Sequence, residues 1–150
     1  MILTIFPDID VIGFKMGIPY QHMLGHRGIT HSIPFAILIS GIISLFFCRT
    51  FNEKIFPIWI YLFICTASHG IFDAFTDGGL GIAFFAPFSN ERYFFPIRPI
   101  EVSSLTISHF FSEHGISVLK SEFLFLWIPC LLLWVINHLL VRTRKRIDST

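Results

Sequence analysis

The stretch SHGIFDAFTDGG, residues 68 to 79, places ionisable side chains at the end of a long apolar run. His69, Asp73 and Asp77 follow one another at intervals of four residues. Residues four apart share one face of a helix, so an imidazole and a carboxylate there can grip one cation from adjacent turns. Mixed nitrogen and carboxylate ligands are typical of catalytic zinc and related divalent sites. Taken alone, the pair is also explained by a structural hydrogen bond or a helix-end dipole effect.

Two earlier motifs offer further ligands of the same kinds. In PDID, Asp8 and Asp10 are two residues apart, a spacing that aims both carboxylates the same way if the segment is extended. In HRGITHS, we expect His26 in an entry loop and His31 near the start of a helix. A turn explains PDID alone, and a lipid-headgroup contact or a helix entry explains HRGITHS alone. All three motifs together favour a metal site only if the fold brings them to one place.

The composition indicates that these motifs belong to a membrane protein. Of the 150 residues, 53% are hydrophobic and 19 are phenylalanine, more than a soluble domain usually carries. The net charge is only +1, and no long basic patch is interleaved with aromatics. Nucleic acid is therefore a poor candidate partner, whereas the lipid bilayer or a lipid-borne substrate is a good one.

Three apolar segments are expected to cross the bilayer as helices. They are Ile33 to Cys48, Ile55 to Phe75 and Phe123 to Val141. Between the last two, Thr76 to Glu122 is predicted as loop plus an interfacial or re-entrant helix, with an apolar middle around Val102 to Phe111. The sequence thus predicts an all-α, polytopic membrane protein with about three transmembrane helices.

The basic residues set the expected orientation. RTRKR, residues 142 to 146, follows the last span, and Arg49 and Lys54 lie between the first two. The positive-inside rule places both groups in the cytoplasm, so a bacterial inner-membrane protein with a cytoplasmic C-terminus is predicted. The first two spans then form a hairpin that brings HRGITHS and the end of HGIFDAFTD to the opposite membrane face. A metal ion there would neutralise carboxylates that otherwise repel one another near lipid.

Two arginines could serve a phosphate substrate. Arg92 and Arg98 lie in PFSNERYFFPIRP, residues 87 to 99, a segment rich in proline and aromatics. A guanidinium matches a phosphate in a bidentate manner. Anchoring to lipid headgroups explains the same arginines equally well.

The remaining histidines are assigned no part in the predicted site. His22 is expected in the entry loop, and His138 near the cytoplasmic end of the last span. A ligand-like step of four residues also occurs in SHFFSEHG, but no second motif matches it. We keep that group, His109, Glu113 and His114, as a spare candidate.

The ordered set PDID, HRGITHS, HGIFDAFTDGG and PFSNERYFFPIRPIEVSSL resembles the YdjM-like family of bacterial inner-membrane proteins, described as membrane-bound metal-dependent hydrolases. The resemblance covers about residues 7 to 105. That family in turn is similar to the zinc-dependent phospholipase C and single-strand nuclease group, helical enzymes whose metals are held by histidines and aspartates. The metal ligands that this resemblance implies are Asp8, Asp10, His26, His31, His69 and Asp73.

The location and the resemblance together predict a hydrolase with a divalent metal, zinc being favoured, that cleaves phosphoester bonds of a lipid or lipid-linked substrate. Asp77 is the candidate acceptor of the proton of the attacking water. Arg92 or Arg98 would stabilise charge that develops on a phosphate. Two other functions stay open, a metal or proton transporter subunit and a non-enzymatic scaffold with a structural metal. Transport sites normally lie near the bilayer midplane, whereas these ligands cluster at span ends.

One departure from the family concerns the beginning of the sequence. Relatives usually carry an additional hydrophobic helix with its own histidine before the P-D-x-D motif, whereas only MILTIF precedes it here. We therefore expect one membrane-embedded hydrolase-like domain that lacks an N-terminal helix, either because the start was assigned too far downstream or because the helix was lost.

Overall fold

The computed structural model describes residues 2–102 and 112–147. The chain divides into two compact units, Met1–Arg98 and Pro99–Thr150. The described residues contain no strand, and Ile82 and Tyr93 form an isolated bridge, so the all-α prediction is confirmed. The helices are α1 (Ile2–Ile5), α2 (Val11–Lys15), α3 (Ile33–Phe51), α4 (Ile55–Ala74), α5 (Glu113–Glu122) and α6 (Ile128–Ile147), with 3-10 helices at Phe6–Asp10 and Ile29–His31 and a π-helical turn at Phe123–Trp127.

Helices α3 and α4 form the hairpin that the sequence predicts. Ser32 begins α3 as its N-cap, its hydroxyl accepting a hydrogen bond from the backbone N–H of Phe35. The helix runs to Phe51, three residues beyond the predicted end, and stops where Asn52 adopts a left-handed conformation (φ 55°). Since α4 starts at Ile55, the connection is tight and the two helices are antiparallel neighbours.

Small residues let the two helices of the hairpin pack closely. The buried positions recur every four residues on both helices, and each position holds a small side chain or no side chain at all. Close backbone approach through small residues is a common way to pair helices in a membrane, where lipid removes the hydrophobic advantage of large side chains. The buried positions are Ala36, Ser40 and Ser44 on α3 and Thr66, Gly70 and Ala74 on α4.

The third apolar helix starts earlier than predicted. Helix α5, the π-helical turn and α6 follow one another without a break, and the stretch Glu113–Thr143 is long and apolar enough to cross a membrane. Ser112 caps its start by accepting a hydrogen bond from Gly115 N–H. The ten residues of α5 mix charged and polar side chains with only three large apolar ones, which is why the apolar pattern alone placed the start at Phe123. Together with α3 and α4, this confirms three helices able to span a membrane.

The segment after α4 folds back over the end of the hairpin. Its backbone N–H groups at Ala83 and Phe95 donate to the carbonyls of Arg27 and Ala74. The carbonyl of Phe84 accepts from the N–H of Ile33 at the start of α3. The predicted loop is therefore present over residues 76 to 98. Most of the predicted interfacial helix, residues 103–111, lies outside the described residues.

Candidate metal centre

Four side chains from three separate segments converge at the open end of the α3–α4 hairpin. One ligand atom from each of Asp8, His31, His69 and Asp73 lies within 4.8 Å of the other three. The Nε2 of His31 is 3.6 Å from Asp8 Oδ1 and 3.4 Å from Asp73 Oδ2. The Nε2 of His69 is 3.2 and 3.8 Å from the same two oxygens. We call these four residues the inner cluster.

The two imidazole nitrogens of the inner cluster lack hydrogen bonds. His31 Nε2 and His69 Nε2 are buried, and within the described part of the chain neither has a hydrogen-bond partner despite the nearby carboxylate oxygens. The side chain of His31 is 0% exposed. Buried polar atoms are almost always satisfied, so two such atoms in one cluster of metal-ligating side chains favour a metal site there.

The spacing of the inner cluster fits a divalent metal ion. Zinc bonds to imidazole nitrogen and carboxylate oxygen are about 2.0–2.2 Å long, which places neighbouring ligands of a tetrahedral ion about 3.4 Å apart. The four nitrogen-to-oxygen distances of the cluster, 3.2 to 3.8 Å, lie on both sides of that value. Two nitrogen and two oxygen donors form a set that zinc accepts.

A 3-10 helix positions the two aspartates of PDID. The segment is not extended, the condition under which both carboxylates would point the same way, since Phe6–Asp10 is a 3-10 helix with Pro7 in its first turn. Asp8 nevertheless faces Nε2 of His31, while Asp10 Oδ2 lies 3.1 Å from Nδ1 of the same ring. Asp8 therefore lies next to one nitrogen of the His31 ring, and Asp10 lies next to the other.

Asp10 and His26 lie behind His31 and do not belong to the inner cluster. Asp10 Oδ1 is 2.6 Å from His26 Nδ1. Asp10 Oδ2 accepts from the backbone N–H of Arg27 (3.1 Å) and from the Thr30 hydroxyl (2.6 Å). A carboxylate behind a ligand imidazole fixes its tautomer and leaves the far nitrogen for the metal. Asp10, His26 and His31 also form a buried group that could hold an ion, but Asp10 and His26 are already hydrogen-bonded to each other and His31 Nδ1 to the Thr30 hydroxyl.

Gly70 lets α4 approach His31. A Cβ atom at this position would lie 2.7 Å from the backbone oxygen of His31, too close for any real contact. Glycine is therefore required beside His69 for the two histidines to meet. The predicted placement of His26 in a loop and of His31 at a helix start is confirmed, since Ile29–His31 is the 3-10 turn just before α3.

Arg27 is a component of the site that the sequence reasoning missed. Its side chain is only 4% exposed, with Nε 3.2 Å from Asp73 Oδ2 and Nη1 donating to the Gly78 carbonyl at 2.7 Å. Its backbone is left-handed (φ 61°), which is uncommon for a residue other than glycine. The sequence feature that could have identified Arg27 is its positive charge. It is the one arginine in HRGITHS, and several of the predicted ligands are carboxylates.

Arg92 acts on the backbone of the entry loop. Its guanidinium donates to the carbonyls of Tyr20 (3.0 Å), His22 (3.2 Å) and His26 (3.0 Å). The predicted bidentate contact with a phosphate would have to replace these bonds. In the structure Arg92 therefore holds in place the loop that carries His26.

The other predicted side chains lie outside the inner cluster. Asp77 is exposed beyond the end of α4, and Arg98 is exposed near the end of the first unit. In the second unit, His114 Nδ1 is 3.8 Å from a carboxylate oxygen of Glu101, and no third ligand joins them within the described ranges. His109 lies outside the described residues. The catalytic roles of Asp77, Arg92 and Arg98 stay predictions.

The charges around His31 favour a cation at the centre of the cluster. Burial raises the pKa of Asp8, but its contacts with His31 and His69 outweigh this, and the pKa lies well below its ordinary value. Burial likewise raises the pKa of Asp10, but contacts with His26, His31 and Thr30 hold it far below its ordinary value. Burial lowers the pKa of His31, yet the three carboxylates around it raise that pKa to about 10. Without a metal, His31 is thus itself a cation, whose proton an incoming ion must displace.

The metal-free protein is expected to lose stability as the pH rises from neutral to alkaline. The pKa of His31 goes from 6.5 to about 10, so its stabilising contribution is complete below pH 6.5 and is lost on approach to pH 10. A bound divalent ion replaces the proton and should remove this decline. Melting temperatures in detergent between pH 6 and pH 9, with chelator or with zinc, test this. Equal slopes in the two series would contradict it.

An Asp10→Asn variant is expected to bind zinc about 10- to 100-fold more weakly, because it loses the carboxylate that orients His31. Since all four inner ligands remain, the zinc content at saturation should not change. Asp73→Asn should weaken binding further, because it alters a ligand. Competition with a chromophoric chelator measures both, with Glu53→Gln at the far end of the hairpin as the control. An equal loss of zinc affinity in the two aspartate variants would contradict the placement of Asp10 outside the inner cluster.

Known inner membrane proteins are similar to this chain over most of its length. The family described as YdjM inner membrane protein matches residues 1–145. The chain is 35% identical over 133 residues to the inner membrane protein YbcI of Escherichia coli (strain K12), which covers 89% of this chain and 77% of the relative. No solved structure matches.

Proposed function

Since the chain belongs to the YdjM family of inner membrane proteins, we propose that it is a membrane-bound, metal-dependent hydrolase acting on phosphoester bonds of a lipid or lipid-linked substrate. The observation that carries this proposal is the inner cluster, in which two buried imidazole nitrogens without hydrogen bonds face two carboxylate oxygens. Zinc is the favoured ion because of the mixed donors and their spacing. A divalent ion held there supplies Lewis acidity, which activates water near neutral pH and polarises a phosphoryl oxygen.

The residues around the ion have different roles in this proposal. His31, His69 and Asp73 are the buried or half-buried ligands that fix the ion, and Asp10 orients His31 from behind. Asp8 is the most open of the four, with a side chain 43% exposed. We therefore place the entrance for the substrate on the Asp8 side of the cluster.

The surroundings of Asp8 support a lipid substrate. Asp8 lies in an open groove of about 420 Å³, whose other lining residues are Ile5, Phe6 and Ile9. This volume is in the range of ligand pockets, about 300–1,000 Å³. A polar metal ligand within apolar walls suits a molecule that has a phosphate head and a hydrocarbon tail.

The position of the cluster along the hairpin supports the same substrate class. Helix α3 has 19 residues and so is about 28 Å long, close to the thickness of a bilayer core. The cluster lies at one end of the hairpin, and Arg49 and Lys54 lie at the other. The positive-inside rule then puts the cluster at the extracytoplasmic surface, where headgroups are accessible and where a transport site would not be expected.

Replacing Ile5 by serine should lower kcat/KM for a long-chain lipid phosphodiester about tenfold, because the groove loses apolar contact with the tail. Hydrolysis of a soluble phosphodiester should not change. Ile12→Ser is the matched control, since Ile12 is exposed to a similar extent (53% against 65%) but does not line the groove. An equal effect on both substrates would argue against a tail-binding groove.

The proposal is tested with purified protein in detergent, stripped with a chelator and reloaded with zinc. We expect zinc-dependent release of phosphate or headgroup from at least one lipid phosphoester, above the background of a His69→Ala variant. A protein that binds zinc but hydrolyses none of a panel of lipid and soluble phosphomonoesters and phosphodiesters would contradict a hydrolase. That result would favour a scaffold with a structural metal.

A further inference from the structure

We infer that the centre holds a single divalent ion and that the guanidinium of Arg27 takes the place a second cation would fill. The inference rests on the metal part of the proposed function and not on hydrolysis. It concerns two groups of potential ligands that share His31, namely the inner cluster and the outer group of Asp10, His26 and His31.

Interatomic distances distinguish the two groups. In the inner cluster the nitrogen-to-oxygen distances are 3.2 to 3.8 Å, near the edge of about 3.4 Å that a tetrahedral zinc site requires. In the outer group, His26 Nδ1 and Asp10 Oδ1 are only 2.6 Å apart. That separation is a charge-assisted hydrogen bond, with a proton and no metal ion between the two atoms.

The lone pairs of Asp10 are already in use. Its two oxygens are hydrogen-bonded to His26 Nδ1, the Arg27 N–H and the Thr30 hydroxyl, and His31 Nδ1 lies 3.1 Å from Oδ2. A carboxylate offers about four lone-pair sites. A second ion at Asp10 would have to break several buried hydrogen bonds, each costly to leave unmade. In the inner cluster, by contrast, the two imidazole nitrogens have no bond to lose.

The net charge of the site also favours a single divalent ion. Asp8, Asp10 and Asp73 contribute three negative charges, and Arg27 contributes one positive charge, so the site carries a net charge of −2 when its imidazoles are neutral. One divalent ion balances that charge. A second would leave a charge of +2 in a largely buried site, which is unfavourable without a counter-ion.

Arg27 is fixed where a second ion would meet Asp73. Its Nε lies 3.2 Å from Asp73 Oδ2, and Nη1 is held by the carbonyl of Gly78. The backbone of Arg27 is bound on both sides, because its N–H donates to Asp10 and its carbonyl accepts from Ala83. The guanidinium is therefore a built-in cation beside the inner cluster and acts as a positioning residue for Asp73.

Zinc content gives the first test. Wild-type protein and His69→Ala are dialysed against buffered zinc, and metal per chain is measured by elemental analysis. The difference between the two should be one zinc ion per chain. A difference of two or more, or of zero, would overturn the inference. One zinc ion without any hydrolysis would leave it intact and contradict only the proposed function.

Variants of Arg27 give the second test. In zinc-loaded protein, Arg27→Met removes the charge at similar size and should lower the melting temperature by about 10 °C or more, since Asp73 loses its buried partner. Arg27→Lys keeps the charge and should recover at least half of that loss. Arg49→Gln, at the far turn, is the control. If the Lys and Met variants melt at the same temperature, Arg27 does not act through its charge.

Discussion

Replacing His69 by alanine is expected to remove the metal ion and to reduce hydrolysis by more than 100-fold. His69 is one of the four inner ligands, and its Nε2 has no other hydrogen-bond partner within the described residues. Loss of an outer-shell partner costs about 10- to 100-fold in metal affinity or activity, so loss of a ligand should cost more. Because the side chain is only 16% exposed, the melting temperature of the variant is measured as well, to show that the hairpin stays folded. Metal content and initial rates in detergent measure the effect.

The control for this substitution is His114→Ala. His114 has a side chain that is 50% exposed and lies in the second unit, next to Glu101. We expect wild-type metal content and rate for this variant. If His69→Ala retained stoichiometric zinc, the inner cluster would not be the metal site.

Replacing Gly70 by alanine is expected to destabilise the protein and to weaken metal binding at least tenfold. Helix propensity alone predicts the opposite, a gain of about 1 kcal/mol for alanine over glycine in a helix. Here, however, the new Cβ would lie 2.7 Å from the backbone oxygen of His31. Overpacking of this kind costs about 1–3 kcal/mol, and it would push α4, with His69 and Asp73, away from His31. Thermal melting and zinc competition report the two effects separately.

Gly41→Ala is the matched substitution on the other helix of the hairpin. A Cβ at Gly41 would meet only the side chain of Trp59, at 3.7 Å, which is an ordinary contact. This variant should keep its zinc affinity and should be as stable as the wild type or slightly more so. Equal behaviour of the two alanine variants would contradict the role of Gly70 in bringing the histidines together.

The sequence was sufficient to predict the hairpin and the convergence of several candidate side chains at one end of it. The H-x-x-x-D step placed His69 and Asp73 on one helical face, and the hairpin brought His31 to the same end, as the inner cluster shows. Span boundaries were less accurate where polar turns continue a helix. Helix α5 begins at Glu113, ten residues before the apolar run that starts at Phe123. The Ser112 cap, and not an apolar sequence, marks its start.

The division between inner and outer residues was not predictable from residue types. Asp8 and Asp10 are chemically identical and two residues apart, yet the 3-10 turn presents one to Nε2 and the other to Nδ1 of His31. That choice depends on backbone dihedrals and not on a periodic pattern. The inclusion of Arg27 depends on a left-handed backbone at a residue other than glycine, which sequence propensity disfavours.

The origin of the inner ligands along the chain sets an order of events during biosynthesis. Asp8 and His31 are translated before α3, whereas His69 and Asp73 emerge only with the last turns of α4. The four residues of the inner cluster can come together only after both helices of the hairpin have been inserted and have paired. A metal ion held by these four residues would therefore bind only after insertion, and it would link the Phe6–Asp10 turn to the helix pair.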